Sequence, residues 1–388
     1  MERFTIDSDA IAASRSRAAS AAEAGRGAEL FSRVEVGDGL DDEGIATLLL
    51  ADDVATERLL ALARRTPDPP HLETFSPLYL SNECDAECAM CGMRRGNRHL
   101  VRETADEKTI DDQLAILHRR GLRGVALVTG EYHFGTKRRA MLDLARRALE
   151  TALEIGFRHV LLNVGSLDVG EHEEMLENVP RRPDGRLARH VTTSTFQETY
   201  HEDRYRRFIG ANPVNPRSDF ERRLQNFDRA TDAGMTSANP GVLLGLNPDV
   251  AFELLALLAH VRHLQRRGNV VYVSLPRLRK ATGTEHRGGV SDDALYRVAA
   301  LLGIGVPDAR VVISTRETPE VQRRLLPVIH VLTPGSPGVA PYTETGARFD
   351  LRASQFKVLD ERPIEEILGE LLAEGARIEC YEPRAVEP

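Results

Sequence analysis

A chain of 388 residues, 41% hydrophobic and 28% charged, has the composition of a globular protein, long enough for one barrel of about 250 residues with extensions. A formal net charge of −8 argues against electrostatic binding of nucleic acid, and no run approaches the roughly 18 apolar residues of a membrane span, so neither is expected as a partner. Four cysteines, three of them within eight residues, exclude a disulfide framework and fit a reduced compartment; with no signal-like segment at the N-terminus, the cytoplasm is the default location.

Residues up to about Gly39 are rich in Ala, Ser, Arg and Glu and poor in large apolar groups, which suits a loose helix or a mobile segment. From Asp41 the pattern sharpens. Asp42 is placed to cap a helix carrying Ile45, Leu48 and Leu49, and Thr56 to cap another carrying Leu59, Leu60 and Leu62. The Pro-rich stretch 66–70 stops helix formation, so residues 1–71 read as an N-terminal helical extension.

An apolar run at 77–81 then leads into Cys84-Asp-Ala-Glu-Cys88-Ala-Met-Cys91. Beyond it, Ile110, Leu114 and Leu117 share a helical face that ends at Arg120-Gly121, and 124–129 is a nearly continuous apolar run, as in a parallel strand buried on both faces. The alternation repeats. A helix through Leu142, Ala145 and Leu149 ends at Gly156, and strands are expected at 160–164, 191–196, 241–246, 270–275, 311–315 and 328–332, with a helix through Leu254, Leu257 and Leu258. Gly268 and Gly375 read as helix C-caps.

About eight strands separated by helices predict a (β/α)8 TIM-type barrel over 72–354, the alternative being an open doubly wound sheet. Tyr79, Glu131, Asn163, Gln197, Arg277, Arg316 and Thr333 all fall at or just past strand C-termini, and in a barrel these ends share one mouth. Residues 355–388 read as a C-terminal helix around Ile364, Ile367 and Leu371, a short strand at 377–380 and a tail.

Three thiols spaced Cys-x3-Cys-x2-Cys on one loop can converge on a single soft metal centre. A [4Fe-4S] cluster held by three thiolates leaves one iron without a protein ligand, open to substrate or cofactor. A structural zinc site with His99 as fourth ligand is the competing reading, but such sites usually use two separated ligand pairs. Thr129-Gly130-Glu131 supplies a close backbone approach and an acceptor for a cation, or else is a turn with an exposed Glu. His133 is placed to relay a proton near the mouth, and Cys380, with no partner at ligand spacing, reads as a tail thiol.

The cysteine spacing on the loop after the first barrel strand resembles the radical S-adenosylmethionine enzymes, although Met90 stands where that family usually has an aromatic residue. The resemblance implies that Cys84, Cys88 and Cys91 hold a [4Fe-4S] cluster, that S-adenosyl-L-methionine chelates its open iron, and that reduction by a donor such as flavodoxin or ferredoxin releases a 5′-deoxyadenosyl radical. The family's Gly-Gly-Glu type motif, matched by Thr129-Gly130-Glu131, receives the methionyl ammonium. Gln197-Glu198, Ser218-Asp-Phe, Arg223-Leu224 and Asp228-Arg229-Ala230 resemble the aromatic amino acid lyase subgroup, which includes the thiazole-forming and hydrogenase-maturation tyrosine lyases. By that likeness Gln197 and Glu198 lie near the nucleoside and Arg223 meets the methionyl carboxylate.

Within the subgroup the resemblance is to the tryptophan lyases, the 3-methyl-2-indolic acid synthases of nosiheptide-type antibiotic biosynthesis. It runs from about Leu72 to about Phe356 and is carried by residues 91–97, 127–132, 196–198, 239–246, 274–279, 315–317 and 334–337. It implies a lyase that takes hydrogen from the amino group of L-tryptophan and rearranges the side chain, with Arg316 on the substrate carboxylate and Tyr79 and Thr333 around the amino-acid head. Thr333 replaces a serine of that family and Glu83 a tyrosine, which bears on side-chain preference. Cα–Cβ cleavage of L-tyrosine or another amino acid is the alternative. A non-catalytic iron–sulfur scaffold or S-adenosylmethionine sensor is a more distant one.

Overall fold

The computed structural model describes residues 2–64, 70–188, 190–284 and 289–383, so residues 66–69 of the Pro-rich stop lie outside the described residues. Among them are ten strands: β1 (His71–Glu73), β2 (Ser76–Tyr79), β3 (Gly124–Val128), β4 (His159–Asn163), β5 (His190–Glu198), β6 (Ser237–Val242), β7 (Val270–Ser274), β8 (Arg310–Ser314), β9 (Val331–Thr333) and β10 (Arg377–Glu379). They form one sheet in the order β10-β1-β9-β8-β7-β6-β5-β4-β3-β2, and every pairing is parallel.

Because β1 and β2 are consecutive in the chain but lie toward opposite edges, the sheet must curl until its ends meet. The seam is laced by Thr74 Oγ1 donating to Leu332 O (2.8 Å), Ser76 Oγ donating to Pro334 O (2.7 Å) and a bridge between Tyr79 and Val339. The result is the expected TIM-type barrel of parallel strands and intervening helices, with β1 and β10 added beside β9. Among the described residues no helix is long and apolar enough to cross a membrane.

The strand expected at 241–246 instead starts at Ser237 and ends at Val242. Pro240 within it has no N–H for the ladder and hid the strand's first half. The apolar residues after it form a turn in which Leu243 N donates to Glu198 O (2.8 Å) and Leu244 N to Pro276 O (2.9 Å). Likewise Val328 lies in the turn after the helix Pro319–Leu325, and β9 begins only at Val331.

Two caps differ from expectation. Asp41 rather than Asp42 caps the helix Asp42–Leu50, and Thr56 opens its helix while its hydroxyl donates to Asp293 Oδ1 (2.6 Å). The segment before Gly39 forms helices Ser8–Glu23 and Gly27–Glu35. Phe4 ahead of them stacks on His260 at 4.3 Å, and its N–H donates to Asp228 Oδ2 (2.8 Å).

The barrel interior is layered. Around its middle, Phe75, Ala126, Leu161, Tyr272, Val312 and Val331 form an apolar plug. Below it, at the N-terminal strand ends, buried Glu73 meets His159 Nδ1 at 2.5 Å and accepts from Tyr272 Oη (2.8 Å) and Arg310 Nη1 (2.8 Å). Burial works to raise the Glu73 carboxyl, but hydrogen bonds to His159 and Tyr272 and the Arg310 charge outweigh it and lower its pKa from 4.5 to about 2.

A depressed folded pKa stabilises the fold above the unfolded value and is lost as pH falls through the folded one. Glu73→Gln is therefore expected to cost about 3 kcal/mol at neutral pH. The gap to the wild type should narrow between pH 4.5 and about 2, as read by denaturant midpoints over that range.

Candidate active site

Above the apolar plug the strand C-termini open into a cavity of about 210 Å³, lined by Cys84, Cys88, Cys91, Tyr79, Glu131, Glu198, Arg223, Arg316 and Thr333 among others. The cysteine loop is irregular, so its backbone carbonyls need partners. Arg102 donates to the carbonyls of Asn82 (2.9 Å), Met93 (2.8 Å) and Arg94 (2.7 Å), and Asn97 Nδ2 to those of Gly92 and Thr282 (both 2.7 Å). All three thiols are free of disulfides, and Cys88 is buried.

Cys84 Sγ receives N–H groups from Glu131 (3.3 Å) and Ala86 (3.4 Å), and Cys91 Sγ receives Gln355 Nε2 at 3.5 Å. Burial nevertheless pushes the Cys84 thiol up to about 11 and raises Cys88 further. Three sulfurs on one loop, two of them supplied with N–H donors and two of them raised in pKa by desolvation, suit a cationic metal centre, which would keep all three as thiolates. His99 is exposed, in keeping with an open triplet rather than a closed site with histidine. Cys380 lies among Glu73, Tyr272 and Arg310 at the opposite end of the barrel, in agreement with its reading as a tail thiol.

Glu131 follows β3 across Gly130, where a Cβ would stand 2.0 Å from Glu83 O, so only glycine lets the two loops meet. The Glu131 carboxylate is buried. Its Oε1 accepts from Ser166 N (3.0 Å), its Oε2 from Arg223 Nη1 (2.7 Å), and Arg217 Nε stands 3.6 Å away. Glu198 sits at the register shift between β5 and β6 with φ 70°, a left-handed backbone that turns its carboxylate into the cavity, where it accepts from Arg217 (2.8 Å). Arg223 Nε also donates to Phe196 O (2.8 Å).

Burial disfavours the Arg217 charge, but Cys88, Glu198, Tyr205 and Glu131 outweigh it and hold the pKa well above the ordinary value. Two carboxylates and two guanidiniums beside three thiols make a zwitterionic cradle suited to a ligand bearing both an ammonium and a carboxylate.

Across the mouth, Tyr79 Oη donates to Gln355 Oε1 (2.6 Å), and Thr333 Oγ1 to Ile313 O (3.3 Å). The Arg316 guanidinium lies 3.3 Å over the Phe356 ring. Its neighbour Glu317 is turned away and ion-paired with Arg277 and Arg279, so among the described residues Arg316 faces the cavity with no carboxylate paired to it. Burial lowers the Arg316 pKa from its ordinary value, the signature of a cation placed to receive an anion.

Not every expected residue reaches the cavity. Gln197 is buried, its amide nitrogen has no partner among the described residues, and it does not line the space, because the bulge turns Phe196 and Glu198 inward on either side of it. Arg277 serves the buried pair with Glu317. His133 is absent from the lining, its backbone N–H donating to Asp85 (3.2 Å). Glu83 points outward to Lys137 (3.0 Å).

Sequence reading missed Arg217, which looks like any solvated arginine ahead of a helix, and Gln355 and Phe356, which stand past the expected end of the barrel yet close the cavity. The only available signal was the proximity of Phe356 to the end of the motif-rich region.

No family model matches the chain. It is 29% identical over 344 residues to the 2-iminoacetate synthase of Escherichia coli K12, covering 86% of this chain and 85% of the relative. It is 28% identical over 306 residues to that of Salmonella typhimurium LT2, covering 78% and 75%. Among solved structures it resembles the FeFe-hydrogenase maturase HydG from Carboxydothermus hydrogenoformans (TM-score 0.82, 23% identity, 96% of this chain and 83% of that one). A second HydG structure gives a TM-score of 0.80 at 27% identity, with 96% and 80% covered. The methylornithine synthase PylB shares the fold at 0.68 and 18%, with 92% and 97% covered.

Proposed function

We propose that this chain breaks a carbon–carbon bond at the Cα of an aromatic L-amino acid. It is a radical S-adenosylmethionine carbon–carbon lyase, with a [4Fe-4S] cluster and S-adenosylmethionine as cofactors. The observation that carries the substrate class is the unpaired Arg316 guanidinium facing the same cavity as the three thiols. When bound, the cluster and S-adenosylmethionine supply a 5′-deoxyadenosyl radical that removes a hydrogen atom from the substrate.

Everything else falls to the chain. Cys84, Cys88 and Cys91 hold the cluster. Glu131, with Glu198 beside it, receives the methionyl ammonium, and Arg223 and Arg217 the methionyl carboxylate. Arg316 takes the substrate carboxylate, while Tyr79 and Thr333 offer hydroxyl oxygens to the substrate amine and fix its hydrogen toward the cofactor side. Gln355 ties Tyr79 to the cluster loop, so cofactor and substrate positions are set by one hydrogen-bonded chain.

The relatives are 2-iminoacetate synthases, and 2-iminoacetate is the fragment an α-amino acid leaves when the bond between Cα and Cβ is cut. This supports Cα–Cβ cleavage, with L-tyrosine as substrate, over the rearrangement of L-tryptophan. The second reading, L-tryptophan to 3-methyl-2-indolic acid, draws on one observation: the motifs that carry that resemblance supply much of the cavity wall, including Asn239, Ser274, Arg279, Arg316 and Pro337.

Anaerobically reconstituted, reduced protein should form 5′-deoxyadenosine faster when L-tyrosine or L-tryptophan is added. No response to either would overturn the proposal, and would leave an iron–sulfur scaffold or S-adenosylmethionine sensor.

A further inference from the structure

One wall of the cavity, running from the β8 side away from Arg316 across β7, β6 and β5, carries a feature that the amino-acid head does not use. Ser194 on β5, Asn239 on β6 and Ser274 on β7 all line the cavity and all are buried, at 3%, 2% and 7% exposure. They bond to one another across three neighbouring strands. Ser194 Oγ donates to Asn239 Oδ1 (2.8 Å), Asn239 Nδ2 donates to Ser274 Oγ (3.0 Å), and Ser274 Oγ lies 3.2 Å from Asn239 Oδ1.

Polar side chains set against an apolar floor are costly unless their hydrogen bonds are completed. Here the completion is one-sided. Each serine has an asparagine atom as partner for its proton, and each Oγ keeps acceptor capacity toward the cavity, most plainly that of Ser194, which receives no hydrogen bond among the described residues.

Strand order fixes where this wall stands. Arg316 follows β8, Thr333 ends β9 and Tyr79 ends β2, so these three gather about the seam where the curled sheet closes. Strands β5 and β6 sit across from it, and β7, where Ser274 pairs with Val312 four residues before Arg316, joins them to the Arg316 side one layer deeper in the barrel. An amino acid whose carboxylate meets Arg316 extends its side chain away from the seam, over the floor made by Phe75, Ala126 and Leu161, toward the triad.

We infer that the Ser194–Asn239–Ser274 triad is a specificity element that accepts a hydrogen bond from a ring N–H or O–H of the aromatic substrate. This rests on the proposed amino-acid lyase reading. It narrows the substrate class to aromatic rings that carry their own donor, an indole N–H or a phenol O–H, and it disfavours phenylalanine and N- or O-methylated rings. The triad takes no part in bond cleavage, so it acts on which ring binds rather than on the radical step.

The test compares binding constants with the reconstituted enzyme and S-adenosylmethionine, without reductant. Two pairs are used: L-tyrosine against L-phenylalanine, and L-tryptophan against its benzothiophene isostere, in which sulfur replaces the N–H. The chain contains no tryptophan, so the indole ligand's own fluorescence reports that arm, and calorimetry reads the others.

The ring bearing the donor is expected to bind about 5- to 10-fold more tightly in one of the two pairs, the net effect of one hydrogen bond in a buried site. That pair also tells indole from phenol. Combined Ser194→Ala and Ser274→Ala exchange should bring its ratio close to one while the cluster spectrum is retained. Equal binding within both pairs by the wild type overturns the inference whatever the variants do, and so does a preference that survives the double exchange. If no aromatic amino acid binds at all, the lyase reading itself falls, and the triad assignment with it.

Discussion

Replacing Cys88 with serine is expected to leave a folded chain that assembles no [4Fe-4S] cluster and forms no 5′-deoxyadenosine. Cys88 is the most deeply buried of the three loop thiols, and burial first, then the neighbouring Cys91, Cys84 and Glu198, raise its pKa. Its conversion to thiolate therefore depends on the metal centre, helped by the Arg217 charge beside it. A serine hydroxyl in the same place is a harder and far less acidic ligand, and two remaining thiolates do not hold a cubane cluster. Iron and sulfide content and the visible absorbance after reconstitution read this directly, independent of turnover. Cys380→Ser is the matched control: it lies at the far end of the barrel, and cluster loading should match the wild type. Full loading of the Cys88→Ser chain would refute the three-thiolate assignment.

Arg316→Ala should lower kcat/KM for the amino acid by about 100- to 1,000-fold or more, the effect of removing one member of a buried, charge-assisted pair worth roughly 3–4 kcal/mol. Affinity for S-adenosylmethionine should hardly change, because Glu131, Arg217 and Arg223 form a separate network on the cofactor side. Arg316→Lys should recover little: the planar guanidinium stacks on Phe356 and can present two N–H groups to a carboxylate, whereas an ammonium does neither. Steady-state kinetics with the amino acid varied, beside equilibrium binding of S-adenosylmethionine, separate the two effects. Unchanged amino-acid kinetics in Arg316→Ala would remove the clamp from the scheme.

Much of this architecture can be read in the sequence because parallel strands covered on both faces are nearly continuous apolar runs, and the helices between them keep a helical period. The pattern failed where backbone rules were broken locally. Pro240 interrupts the run that belongs to β6, so the strand was displaced toward the apolar but looped residues 243–246.

The cysteine loop is legible because three thiols at close spacing have few uses. Glu131 is legible because it follows a glycine at a strand end. Gln197 misled for the same kind of reason: alternation along β5 cannot reveal a bulge, and the bulge decides that Phe196 and Glu198, and not the residue between them, face the cavity. Arg217, Gln355 and Phe356 reach the site only through tertiary folding. No local pattern distinguishes a buried arginine beside two carboxylates from the many solvated ones, and nothing in the irregular segment ahead of the closing helix Ile364–Ala373 announces that Gln355 and Phe356 return to the barrel mouth.

Carbon–carbon cleavage of an aromatic amino acid is tested most directly by a product balance. The reduced, cluster-loaded enzyme is incubated with S-adenosylmethionine and either L-tyrosine or L-tryptophan, and all products are identified by mass. The account predicts that 5′-deoxyadenosine accumulates together with a fragment lacking the intact bond at Cα: 2-iminoacetate and its hydrolysis product glyoxylate from tyrosine, or 3-methyl-2-indolic acid from tryptophan. Accumulation of 5′-deoxyadenosine with both amino acids recovered intact would contradict it.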